Sequence, residues 1–78
     1  MYKYEIFDGL NNFITSGYKQ IEGTALLTCL NYICFKENNL KLCFSEDFYS
    51  ANNEYVSVYF VEDKEDYLMY VIMIIKTD

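Results

Sequence analysis

The alternation of hydrophobic and polar positions is most regular near the end of the chain. Residues 55–61 and residues 67–75 are two runs rich in β-branched and aromatic residues, and the acidic connector Glu62-Asp63-Lys64-Glu65-Asp66 separates them. Two such runs on either side of a short polar connector predict a β-hairpin. We therefore expect residues 54–76 to form a hairpin at the centre of the fold.

The second strand of this hairpin has no polar face. Alternation along a strand puts two apolar sets on its two sides: Leu68, Tyr70, Ile72 and Ile74, and opposite them Tyr67, Met69, Val71, Met73 and Ile75. A single small helical layer can cover only one face of a sheet. The run that begins at Tyr67 and ends at Ile75 is therefore expected to be a central strand or an assembly surface.

The first third of the chain predicts a strand followed by a helix. Residues 2–7 alternate as a strand does. Asp8 is a suitable helix N-cap and Gly17 a suitable helix end, so a short helix is expected over residues 8–16. The apolar side chains of this segment fall at helical spacing: Leu10, Phe13 and Ile14.

The middle of the chain fits two structures. Residues 24–35 place their apolar side chains on one helical face, with Thr24 as a possible cap. The same segment is rich in strand formers, and Asn38-Asn39 could form the turn of a hairpin. We favour a helix over residues 24–35 followed by a turn, and the hairpin is the alternative.

The segment before the main hairpin predicts one strand and one loop. Residues 40–45 alternate, with Leu40, Leu42 and Phe44 expected to face the core. Residues 46–53 are predicted to be a loop, and residues 18–23 a connector or short strand. Together these elements predict one α+β domain over residues 1–78: a small antiparallel sheet of three to four strands with one or two helices packed on one face.

Composition argues against catalysis and against metal or cofactor binding. The 78 residues include no histidine, and all six basic residues are lysines, so no imidazole is available to activate a nucleophile. The three cysteines are an odd number without a C-x-x-C pair, and a zinc site would need a fourth ligand. The acidic connector lacks the spacing of a calcium loop. We expect no enzyme activity, no catalytic or metal site and no cofactor.

Charge indicates the kind of partner. Twelve acids and six lysines give a net charge of −6, and residues 42–78 carry all of it. Direct binding to nucleic acid is therefore disfavoured, and a protein with a basic surface is the expected partner. No apolar run is long enough for a membrane span, and the N-terminal residues lack the apolar region of a signal peptide, so no membrane contact and a cytoplasmic location are expected.

The candidate recognition residues are the acids of the charged half and the tyrosines beside them, because tyrosine is enriched at protein interfaces. They are Glu46, Asp47, Glu54, Tyr55, Tyr59, Glu62, Asp63, Glu65, Asp66 and Tyr67. A simpler interpretation of residues 62–66 is a solvated turn whose charges keep the hairpin soluble and protect its edges.

Small, acidic, tyrosine-rich chains without catalytic residues are typical of stoichiometric inhibitors. We expect a non-catalytic phage or mobile-element protein, an anti-CRISPR-like inhibitor that imitates nucleic acid and blocks the basic groove of a bacterial defence complex such as a nuclease or CRISPR effector. An immunity protein or antitoxin that neutralises a nuclease toxin is one alternative. A self-assembling structural module, a homodimer formed through the run from Tyr67 to Ile75, is another.

Overall fold

The computed structural model describes residues 1–77, and Asp78, one of the acids counted above, lies outside the described residues. The elements are β1 (Tyr2–Asp8), β2 (Phe13–Lys19), helix α1 (Glu22–Tyr32), β3 (Lys41–Tyr49), β4 (Tyr55–Glu62) and β5 (Leu68–Lys76). The five strands form one antiparallel sheet in the order β2-β1-β5-β4-β3. The α+β class is confirmed, with one helix, but the predicted count of three to four strands is wrong, because the sheet has five.

The predicted hairpin of residues 54–76 is confirmed as β4 and β5. β5 pairs with β4 along one edge and with β1 along the other, so that Ile72 lies between Tyr59 and Ile6. The prediction that the last run is a central strand is therefore confirmed. Its β-branched residues suit a strand that is enclosed on both edges.

The helix predicted in the middle of the chain is confirmed, and the hairpin alternative is wrong. α1 packs over β1, β2 and β5, where Ala25 and Cys29 are fully buried against a cluster of isoleucines: Ile6, Ile33, Ile72 and Ile74. Burial raises the pKa of the Cys29 thiol to about 12, so this cysteine is a structural hydrophobe. The expected cap at Thr24 is wrong, because the N-cap residue is Ile21, whose side chain makes no capping hydrogen bond.

The helix predicted over residues 8–16 is wrong, because the segment consists of the end of β1, a turn and the first four residues of β2. The Asp8 carboxylate accepts hydrogen bonds from the backbone N–H groups of Leu10 and Asn12, much as an N-cap would, but here they close a turn between β1 and β2. Asn11 has a left-handed φ of 68°, which ends any helical path. Gly17 lies within β2, where a Cβ would collide with the Tyr4 side chain.

The loop predicted over residues 46–53 is also wrong in its first half, since β3 continues to Tyr49. A bulge between Phe44 and Glu46 shifts the register, so the period-two pattern is interrupted inside the strand. Leu42 and Phe44 point to the side of the sheet that carries α1, as expected, but both remain exposed. The helix covers the β2-β1-β5 part of that side and leaves β3 uncovered.

Within residues 1–77, no helix is long and apolar enough to cross a membrane.

Truncation of Ile72 to alanine tests the position of the core. Its side chain is fully buried between β1, β4 and α1, so Ile72→Ala is expected to lower the free energy of unfolding by about 2–5 kcal/mol. The matched control is Ile21→Ala, the same truncation at a side chain that is 66% exposed, with an expected change within about 0.5 kcal/mol. Urea denaturation of the two variants measures both values, and equal losses would contradict the arrangement.

Candidate functional site

Four aromatic side chains and one carboxylate lie together on the helix side of β3 and β4, at the margin of the region that α1 covers. We call them the aromatic surface: Phe44, Asp47, Tyr49, Tyr55 and Tyr59. They form two edge-to-face pairs, Phe44 with Tyr59 at 5.5 Å and Tyr49 with Tyr55 at 5.2 Å between ring centroids. Phe44 is 57% exposed and Tyr49 is 70% exposed, so solvent reaches a set of rings held in place by their neighbours.

The aromatic surface has a negative electrostatic environment. The Tyr55 hydroxyl donates a hydrogen bond to the Asp47 carboxylate, and this bond raises the pKa of Tyr55 to about 12. The pKa of Tyr59 is also raised, first by partial burial and then by the carboxylates of Glu22 and Asp47. Glu22 begins α1 and therefore brings a second acid toward the same tyrosines. The phenols stay neutral while the carboxylates beside them attract cations.

A shallow cleft borders this surface at the end of the sheet. Its volume is about 380 Å³, and Tyr49, Asn53, Tyr55 and Lys76 line it. Lys76 pairs with Tyr55 across β4 and β5, so one lysine of the chain already lies next to the tyrosine rings. The cleft is therefore lined by two phenols, one amide and one ammonium group.

The three turns between adjacent strands share one hydrogen-bonding pattern. They are residues 8–12, 50–54 and 63–67. In each turn the backbone N–H of the first residue donates to the carbonyl of the fifth residue, at 2.8–3.0 Å. The N–H of the fourth residue donates to the carbonyl of the first. A side-chain oxygen of the first residue accepts the N–H groups of the third and fifth residues; these first residues are Asp8, Ser50 and Asp63. The fourth residue has a left-handed φ of 65–69° in every case: Asn11, Asn53 and Asp66.

This repeated geometry explains two of the four acids in residues 62–66. The Asp63 side chain accepts two backbone N–H groups of its turn, as Asp8 and Ser50 do in the other turns. Asp66 occupies the position with left-handed φ, which suits Asn and Asp. Asp66 also forms an ion pair with Lys41, and that hydrogen bond raises the pKa of the lysine. These two acids therefore serve the turn, as the simpler interpretation of this connector suggested.

The structure does not bring the ten predicted recognition residues to one place. Asp47, Tyr55 and Tyr59 share the aromatic surface, whereas Glu46 points to the opposite side of the sheet. Glu54 closes the turn of residues 50–54, near Tyr55. The remaining five lie at the other end of the sheet, roughly 23 Å away at ~3.3 Å per strand residue: Glu62, Asp63, Glu65, Asp66 and Tyr67.

At that far end, Glu62 has a local partner. The Cys43 thiol is 3.7 Å from its carboxylate, and burial together with this negative charge raises the pKa of Cys43. Cys43 is therefore held as a neutral thiol. Among the described residues, no group of three or more His, Cys, Asp or Glu side chains could hold a metal ion.

Sequence reasoning missed Phe44 and Tyr49 as members of the aromatic surface. The bulge between Phe44 and Glu46 hides their common side, since Phe44 and Tyr49 are five residues apart and a regular strand would separate them onto opposite faces. One feature of the sequence indicates the longer strand. Ser50 and Asn53 have the same spacing as Asp8 and Asn11, which predicts a turn at residues 50–54 and a strand that continues up to this turn.

Comparison of the chain with protein-family models, curated proteins and solved structures found no match.

Substitution at Asp66 separates its backbone role from its charge. Asp66→Asn and Asp66→Val remove the same carboxylate and the same pair with Lys41, but only asparagine tolerates a left-handed φ. Asp66→Asn is expected to stay within about 0.5 kcal/mol of the parent protein. Asp66→Val is expected to unfold more easily by about 1–2 kcal/mol. Equal stabilities of the two variants in urea would show that the shared turn geometry is unimportant.

Proposed function

We propose that the chain is a non-catalytic binding protein whose aromatic surface docks on a basic surface of a protein partner. In its most specific form it is a phage or mobile-element inhibitor, anti-CRISPR-like, that acts in the host cytoplasm and blocks the nucleic-acid groove of a bacterial defence complex. The observation that carries the proposal is the group of rings beside Asp47 and Glu22, in which Phe44 and Tyr49 are exposed and Tyr55 and Tyr59 are half-buried.

The chemistry of this surface fits the side chains that line nucleic-acid grooves. An arginine or lysine placed over a tyrosine face gains a cation–π interaction, and Asp47 lies beside Tyr55 as a counter-ion. The rings bring large contact areas with few rotatable bonds, so little side-chain entropy is lost on docking. For an arginine-rich groove, this surface offers a carboxylate for ion pairing and aromatic rings for stacking of the planar guanidinium group.

Net charge adds a long-range contribution. At −6 the chain is attracted as a whole to a basic groove, which raises the association rate in low salt. Glu65, at the far turn, contributes to this attraction without belonging to the aromatic surface. A protein bound across the groove excludes nucleic acid by occupying its site, so no catalytic group is required.

Inhibition of nucleic-acid cleavage tests the proposal. Purified CRISPR effector complexes and bacterial nuclease toxins are each mixed with increasing amounts of the chain, and cleavage of a labelled DNA substrate is measured. We expect stoichiometric inhibition of a target that weakens as salt increases. Asp47→Lys and Tyr55→Ala are each expected to weaken inhibition at least tenfold, an effect of the size usual for interface hot spots of about 2 kcal/mol.

Two control variants make the result specific. Glu37→Lys changes the charge by the same amount in the turn after α1 and is expected to inhibit like the parent chain. Glu65→Lys makes the same change at the far turn and is expected to alter mainly the salt dependence. If folded Asp47→Lys and Tyr55→Ala inhibit normally while Glu65→Lys does not, the aromatic surface is not the recognition site. Inhibition confined to a nuclease toxin would identify an immunity protein or antitoxin.

A further inference from the structure

The side of the sheet opposite α1 is apolar along β4 and β5 and carries one phenylalanine on each of the other three strands. We call it the open face, and its apolar side chains are Phe7, Phe13, Phe48, Val56, Val58, Phe60, Val71, Met73 and Ile75. They align in cross-strand rows, for example Phe7, Val71 and Phe60. In the described residues no second layer covers these rows. An antiparallel sheet with a solvated face normally carries polar residues there.

The centre of the open face lies on β5, whose two backbone edges are already paired with β1 and β4. Ile75 and its neighbour Val56 are already buried, whereas Val71 and Met73 are partly exposed, and an added strand cannot cover these two by hydrogen bonding to β5. They can be covered only by a surface that packs on the sheet from above. Phe13 at the β2 margin and Phe48 at the β3 margin are exposed, so the apolar region extends to both sides of the sheet.

The charges of the open face favour a neutral partner over a basic one. Lys3 and Glu5, both on β1, form an ion pair at 3.3 Å, and they offset each other. Glu46 lies on the outermost strand, β3, and Glu62 at the end of β4. The middle of each row, on β4 and β5, thus presents apolar side chains, with Glu46 next to Val58 at one margin and Glu5, paired with Lys3, next to Met73 at the other. A second copy of the same apolar face matches this chemistry.

The size of the open face also fits a second copy. Five strands about 4.8 Å apart and about seven residues long at 3.3 Å per residue give a flat area of roughly 400–500 Å². The solvent-accessible area of a surface covered with side chains exceeds its flat projection. Two such faces therefore approach the total of about 1,000 Å² that a specific interface requires. Sheets packed in this way enclose a core about 10 Å thick.

We infer that the open face is the interface of a homodimer in which two sheets pack face to face. Each chain then has a layer on both sides of its sheet, α1 on one and the partner's sheet on the other. The two helices and the two aromatic surfaces point outward, away from the interface. The dimer is therefore bivalent for whatever binds the aromatic surface, and its formation does not depend on the proposed function.

Light scattering coupled to size-exclusion chromatography tests the inference on the full chain over a range of concentrations. We expect twice the 9.3 kDa chain mass at high concentration, and dissociation on dilution. Val58→Lys places a charge in the middle row and is expected to give the monomer mass at every concentration. Leu27→Lys is the matched control, because this side chain is 57% exposed on α1, and it is expected to leave the dimer intact.

Circular dichroism verifies that each variant is folded. If Val58→Lys fails to fold, Phe48→Lys supplies the test at a more exposed position of the same face, with the same expected loss of the dimer. A wild-type chain that is monomeric at the highest concentration reached would overturn the inference. So would a dimer that survives both open-face substitutions in folded protein, for example one formed by pairing of exposed β3 edges.

Discussion

The pairing of β1 with β5 is the interaction on which the rest of the structure depends. β1 and β2 form one hairpin, and β3, β4 and β5 form a meander, so the chain consists of two blocks that meet along a single strand pair. That pair joins the two ends of the chain, since the Thr77 N–H donates to the Met1 carbonyl at 2.9 Å. α1 lies over the junction and buries Ala25 and Cys29 against it.

The position of α1 over this junction determines what the chain offers to partners. One helix of 11 residues cannot cover five strands, so the β3 rings Phe44 and Tyr49 are exposed and the β4 rings Tyr55 and Tyr59 are half-buried. On the other side nothing in the described residues covers the sheet, and β5 is apolar there as well. The aromatic surface and the open face therefore have one origin, a sheet wider than its helical layer, but they differ in chemistry. One has carboxylates next to tyrosines, and the other is apolar at its centre.

Elements with an uninterrupted pattern could be predicted from sequence. β1, β4 and β5 follow period-two alternation and α1 follows helical spacing, so these were expected at nearly their observed positions. β2 and the second half of β3 were not. Asp8 makes the same side-chain bonds in a turn that it would make at a helix N-terminus, and only the left-handed Asn11 distinguishes the two. In β3 the bulge after Phe44 interrupts the alternation.

The residues of the aromatic surface were predicted less completely than the strands, again because of the strand register. Charge density along the sequence emphasised the connector between β4 and β5, yet Asp63 and Asp66 are required by the turn. Asp47, Tyr55 and Tyr59 were predicted individually. Phe44 and Tyr49 lie next to them only because of the pairing register of β3 with β4. A count of acids along the sequence gives no information about this register.

Amide hydrogen exchange measured residue by residue tests most directly the claim that the β1–β5 junction holds the two blocks together. The slowest exchange is expected in β1 and β5 around Ile6 and Ile72, at the free energy of global unfolding, while the outer edges of β2 and β3 exchange through smaller openings. Exchange at Ile6 and Ile72 that is as fast as in β2 and β3, with slow exchange confined to the β3–β4 pair, would contradict it.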